Sequence, residues 1–164
     1  MKISSPRWRH FLAALIATLS CCSLAHADDL DGSWWRLTMR KLPDGTTLTP
    51  PAVYGANTFK DGVNQLLVYW HTPEGKPASL SQISKWEWSE AEVAVTPVLM
   101  IIDDGSGKPP VYVIGGDRKT APITRRGAQM SYQHPINAPF IVREGDKFTA
   151  TLEGVFTDYW ERIR

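Results

Sequence analysis

The sequence predicts an all-β domain, and three observations predict it. Beyond residue 27, no stretch holds apolar residues at i, i+3, i+4 and i+7 for the length of a helix. Short runs of β-branched and aromatic residues recur instead, separated by Gly, Pro, Asp or Asn. Gly32-Ser33-Trp34 heads the first run, and Trp160-Glu161-Arg162 lies near the end of the last.

The first run spans residues 33–41, and Leu42-Pro43-Asp44-Gly45 turns it, because Asp-Gly favours a tight turn. Residues 46–49 are short and polar. Pro50 and Pro51 then block pairing, since neither can donate a backbone hydrogen bond. A weak run over 52–59 ends at a second Asp-Gly, Asp61-Gly62. Residues 63–71 form a strand with Leu66, Val68 and Trp70 on one face. Residues 72–77 are a loop.

Residues 80–89 alternate. Leu80, Trp86 and Trp88 share a face with Gln82 and Ser84, and Ser81, Lys85, Glu87 and Ser89 face the other way. Residues 93–102 are apolar on both faces, and Pro97 inside them argues for an edge or a bulge. Residues 103–110 are an exposed loop by composition, followed by a brief strand at 111–114. Residues 115–126 are polar and contain proline, so a mobile connection or a short extra turn is expected there. Short runs at 128–133 and 140–143 flank Pro135 and Pro139. The cleanest alternation follows, with Phe148, Ala150 and Leu152 facing in and Lys147, Thr149, Thr151 and Glu153 facing out. Residues 155–163 close the chain with Phe156, Tyr159 and Trp160. About eight to ten strands at such spacings fit an up-and-down barrel or a sandwich.

The N-terminus reads as a targeting segment. Lys2, Arg7 and Arg9 precede an apolar run over residues 11–17, and Ala25-His26-Ala27 supplies a small-x-small cleavage pattern. The expected signal peptide is 1–27 and the domain is 28–164. Of the 18 Lys and Arg, three lie in residues 1–27, leaving 15 against 17 acids and a net charge of −2. That balance favours neither nucleic acid nor an anionic membrane surface. Cys21 and Cys22 both precede the cleavage site. Leu19-Ser20-Cys21-Cys22 loosely resembles a lipoprotein box, so a membrane association is expected only through lipidation at Cys21 or Cys22. After cleavage at Ala27 no cysteine remains for a disulfide.

Catalysis finds little support. After cleavage only His71 and His134 remain of the four histidines, and neither has the spacing of a zinc cluster. Asp103-Asp104-Gly105-Ser106-Gly107 lacks the spaced carboxylates of a calcium loop. Gly105-x-Gly107-Lys108 lacks the spacing of a phosphate loop, and there is no Gly-x-Ser-x-Gly. Arg118-Lys119 and Arg125-Arg126 read as a solvated basic loop. No cofactor or metal is expected.

Taken together, Gly32-Ser33-Trp34 at the start, and Gly145-Asp146-Lys147-Phe148-Thr149 followed by Tyr159-Trp160-Glu161-Arg162 at the end, make the chain resemble the bacterial secreted lipocalin-like domains of the calycin superfamily. The resemblance covers both ends and is thin in the middle. It implies a single antiparallel up-and-down barrel. It also implies that Trp34 closes the barrel floor and Arg162 packs across it, a cation-over-indole contact worth roughly 0.5–2 kcal/mol. The doubled Trp34-Trp35 and the lack of disulfides depart from the pattern, and the doubling leaves open which indole points inward.

Tyr69, Trp86, Trp88, Tyr112 and Tyr132 form the candidate binding wall, or else fill an ordinary core. The expected role is non-catalytic binding of a small, partly apolar or amphipathic molecule by a secreted or periplasmic protein. The alternatives are an interaction or inhibitor module acting through residues 103–110 and 115–126, and an enzyme whose groups meet only in the fold. Oligomeric state is not indicated.

Overall fold

The computed structural model describes residues 30–136 and 138–164. The signal peptide, its cleavage site and the lipidation alternative lie outside these residues. The β-rich composition folds into β1 (Ser33–Lys41), β2 (Thr47–Leu48), β3 (Val53–Lys60), β4 (Val63–His71), β5 (Pro77–Trp88), β6 (Glu92–Asp103) and β7 (Val111–Ile114). These are followed by β8 (Lys119–Pro122), β9 (Thr124–Arg126), β10 (Gln129–Gln133), β11 (Phe140–Glu144), β12 (Lys147–Leu152) and β13 (Phe156–Ile163). All pairings among them are antiparallel.

Turn chemistry connects the strands. At the β3–β4 hairpin Lys60 pairs with Val63 across Asp61-Gly62, whose φ angles are 52° and 70°. Two consecutive positive φ values match the right-handed twist of the flanking strands, which is why Asp-Gly suits this turn. The hairpin lies at the lower end of the sheet. The turns after β1, β4 and β12 lie at the upper end.

The sheet runs in the order β7-β6-β5-β4-β3-β1-β13-β12-β11-β10-β9, with β2 beside β1 and β8 beside β6. It returns to itself through residues 119–126. Lys119 to Pro122 pair with Val95 to Glu92 of β6, Ile123 N donates to Ala91 O at 2.7 Å, and Thr124 to Arg126 pair with Ser131 to Gln129 of β10. Setting aside β2 and β7 and joining β8 with β9, the thirteen strands make a ring of ten. The expected up-and-down barrel is therefore formed, and residues 115–126 are a correction. Their composition predicts a mobile connection or a short extra turn, yet they contain the strands that close the ring. Their polar composition hides this, because edge pairing depends on what lies beside a strand more than on its own propensity.

Pro97 acts as the sequence suggested. On the β5 side, Ile83 pairs with Leu99 and Ser84 with Pro97, so Val98 is an extra, bulged residue. On the other side, β7 ends and β8 has not begun where Pro97 offers no donor. β7 pairs with β6 along one edge only. Its side chains are exposed on both faces, Ile114 at 82 %.

A second bulge lies in β1, between Leu37 and Met39. Ser33, Trp35 and Leu37 are buried in strict alternation, and then Arg40 is buried in place of Met39. The extra residue, Thr38, reverses the phase, and its hydroxyl donates to Tyr159 O at 3.0 Å.

The core sits low in the barrel. Trp35 packs edge-on to Phe148 at 5.0 Å, and Phe148 stacks on Trp160 at 5.4 Å. β3 admits this layer through Gly55, where an added Cβ would lie 2.7 Å from Trp160 Cη2 and 2.9 Å from Leu37 Cβ. Gly55→Ala is expected to destabilise the fold by about 1–3 kcal/mol through overpacking, read as a lower urea midpoint at unchanged slope. An unchanged midpoint would mean that the Trp160 layer yields freely.

Candidate functional site

Above the aromatic layer the barrel is hollow. A cavity of about 810 Å³ occupies its interior. Drug-sized ligand sites span roughly 300–1,000 Å³. Most of its wall is apolar: Leu66, Val68, Trp70, Leu80, Met100, Ile102, Ile141, Phe148, Ala150 and Leu152 all face it. It reaches the upper rim at Leu42, Asp44, Thr46, Thr72, Pro73 and Val155. A ring of ten strands encloses more volume than the side chains of eight would fill.

The polar groups on this wall are few and mostly tied to one another. Arg40 Nε donates to Asp158 Oδ1 at 2.6 Å and Arg40 Nη2 to Asp158 Oδ2 at 2.7 Å, a two-pronged pair with side chains 7 % and 4 % exposed. The guanidinium lies over Phe156 at 4.2 Å and Trp70 at 5.1 Å, so both ring systems contact it. Burial pushes the Asp158 carboxyl up from its ordinary range, and Arg40 beside it pulls the other way. Deeper in, Asn64 Nδ2 donates to Asn57 Oδ1 and to Thr58 O. His134 packs against Trp86 at 5.3 Å, and its Nδ1 accepts from Ile136 N at 3.2 Å. Burial lowers the His134 pKa to about 4, so the ring is neutral at pH 7. Burial also raises the Tyr132 phenol well above its ordinary range, with Arg143 opposing.

The indoles follow a local rule. Trp35 Nε1 donates to Ser33 Oγ at 2.8 Å, and Trp86 Nε1 donates to Ser84 Oγ at 2.8 Å. Residues two apart share a strand face, so a serine at i−2 can take the indole proton. Trp160 has Asp158 at that position, and Asp158 is committed to Arg40. Trp160 Nε1 is accordingly a buried donor with no acceptor among the described residues.

Of the five expected wall residues, the fold brings two to the cavity, Trp86 and Tyr132. Trp88 stacks on Trp86 at 5.1 Å and lines a smaller recess at the lower end with Asp31, Asp61, Gly62 and Val63. Tyr69 lies outside the cavity wall, where its hydroxyl meets His71 Nε2 at 3.1 Å. Tyr112 sits on β7, 63 % exposed. Tyr69 and Tyr112 are thus corrected to outer positions. Tyr69 is out of phase with Trp70, and β7 lies beyond the closing strands.

The floor is corrected too. Trp34 is 62 % exposed, and Trp35 is fully buried in the floor position. Gly32 and the bond from Ser33 to Leu30 O turn the chain so that Ser33 enters facing inward, and the alternation then carries Trp35 with it. The guanidinium over Trp35 is that of Arg143, at 5.6 Å. Arg162 pairs in register with Trp35 and lies 3.9 Å from Asp146.

Sequence reading missed Arg40, Asp158, Asn57 and Asn64. Asp158 carried a usable signal, an acid in phase with Phe156 and Trp160 on an inward face. In the acidic loop, Asp103 and Asp104 accept from the backbone N–H of Gly105 and Ser106 at 3.0 and 2.8 Å, shaping their own turn. Among the described residues, no three metal-ligating side chains cluster. The chain matches no known family model, curated protein or solved structure.

Two outcomes are expected. Arg40→Met alone should cost about 3–5 kcal/mol by leaving a buried carboxylate unpaired, and Arg40→Met with Asp158→Leu should recover most of it in chemical denaturation. Because the folded His134 pKa is below its unfolded value, its contribution to stability is complete above pH 6.5 and is lost as pH falls towards 4. The loss amounts to about 3 kcal/mol. His134→Asn should flatten that part of the stability–pH curve, and an unchanged slope would assign it to other groups.

Proposed function

We propose that this protein binds a small, partly apolar molecule inside the barrel and does not transform it. The observation that carries the reading is the roughly 810 Å³ apolar cavity reaching the upper rim. Affinity comes from burying apolar ligand surface against indole and aliphatic walls. The polar groups inside are mostly tied to one another or to backbone, which suits holding better than proton transfer. The reading includes export, with residues 1–27 as a signal peptide and a secreted or periplasmic domain. It agrees with the lipocalin-like resemblance of the two chain ends.

A second reading is an interaction module acting through residues 103–110 and the strand that follows them. One observation favours it: β7 presents exposed Val111, Tyr112, Val113 and Ile114 beside an unpaired edge.

Trp70, Trp86 and Trp160 all line the cavity, so ligand entry has a built-in reporter. Nile red is expected to saturate near one equivalent and to quench or shift tryptophan emission. Ala150 faces the cavity, and Ala150→Trp is expected to weaken dye binding by at least about ten-fold while the fold holds. Binding that survives this filling substitution would place the dye elsewhere on the surface. Dye binding abolished by charges placed on β7 would favour the second reading.

A further inference from the structure

The cavity wall carries a closed, buried ion pair below its rim, and the arrangement of that pair bears on what sort of head group the cavity accepts. Arg40 and Asp158 neutralise each other through two short bonds. Phe156 and Trp70 lie against the guanidinium, and both members of the pair line the cavity. A guanidinium carries five N–H donors and a carboxylate about four acceptor sites, so a two-bond pair retains both donor and acceptor capacity.

We infer that the ligand carries an uncharged head group that both donates and accepts hydrogen bonds, such as a hydroxyl or primary amide, on an apolar body, and that the Arg40–Asp158 pair on the cavity wall selects it. The inference rests on the binding reading above. A ligand carboxylate entering here approaches Asp158 as well as Arg40, in surroundings that screen poorly. It also sheds its hydration without gaining a free counter-ion. A ligand ammonium meets the same difficulty with Arg40. A neutral group that both donates and accepts meets neither and bonds to both partners.

The other ionisable groups on the wall do not supply a competing charge at this position. Asp44 and His71 lie at the upper rim, and Tyr132 and His134 are buried on β10 and just beyond it. Arg143 pairs in register with Phe148 near the lower turn, with its guanidinium over Trp35.

Displacement of Nile red from the purified protein at pH 8 tests this, with dodecanol, dodecanamide, dodecanoate and dodecylamine as competitors of equal chain length. Dodecanol and dodecanamide are expected to displace the dye at concentrations lower than the two charged chains by at least about ten-fold. Asp158→Asn, which uncovers the Arg40 charge, is expected to shift preference towards dodecanoate by about ten-fold or more. Arg40→Met with Asp158→Leu removes both charges, keeps the fold testable if the single variant unfolds, and should leave dodecanol with no more than a ~3-fold advantage conferred by its head group. Dye binding with dodecanoate preferred by the unaltered protein overturns this inference alone. A preference for dodecanol that persists undiminished in the double variant also overturns it, since the pair would not be the selector. Failure of the unaltered protein to bind Nile red or any of the four chains overturns the binding reading itself.

Discussion

Strand β1 exchanges its ladder hydrogen bonds with β13, and this joins the two ends of the described chain into one wall. Arg40 and Asp158 stand directly opposite each other in that ladder although 118 residues separate them. Leu37 opposes Trp160 in the same ladder, and Trp35 and Trp160 both meet Phe148 from the neighbouring strand. The floor of the barrel and the ion pair inside it are therefore two consequences of a single register. The bulge at Thr38 is what reconciles them. Without it, the alternation that buries Trp35 and Leu37 would send Arg40 to solvent and leave Asp158 buried without a counter-charge, a cost of several kcal/mol.

Closure at the opposite side of the ring uses a different device. One extended segment serves β6 with its first half and β10 with its second. Closure removes the unpaired edge that an open sheet of this size would present. It is incomplete at the upper end, where β7 has β6 on one side only. Pro97 is the reason β7 and β8 are two strands, since a residue without an N–H breaks the ladder where they would join. A ring of this circumference encloses more space than its inward side chains occupy, and the cavity is what remains.

Inside such a space each polar atom must find a partner or stand at a cost of about 1–3 kcal/mol. Ser33 and Ser84 take the indole protons of Trp35 and Trp86, Asn57 takes that of Asn64, and Asp158 takes two from Arg40. The result is a wall that is apolar in area and nearly neutral in charge. Arg40 and Asp158, which both line the cavity, place a matched pair of opposite charges on that wall. That distribution underlies the reading of the protein as a binder of amphipathic molecules with uncharged heads.

Local chemistry by itself determined the β class, nearly every strand, the two Asp-Gly turns, the irregularity at Pro97 and the inward faces of β4, β5 and β12. Period-2 burial and turn preferences act over a few residues, so they are visible in one stretch at a time. Tertiary structure alone decided which of Trp34 and Trp35 points inward, because that phase is set where Ser33 bonds back to Leu30. It alone turned residues 119–126 from polar loop to closing strand, because their partners come from β6 and β10. It also decided the burial of Arg40, because a one-residue bulge changes which face every later side chain takes. Tyr69 points outward by the period-2 alternation that sends Trp70 inward, and Tyr112 is exposed because β7 pairs with β6 alone. Residue type says what a side chain can do, and strand phase and closure decide whether it does so inside the barrel or outside it.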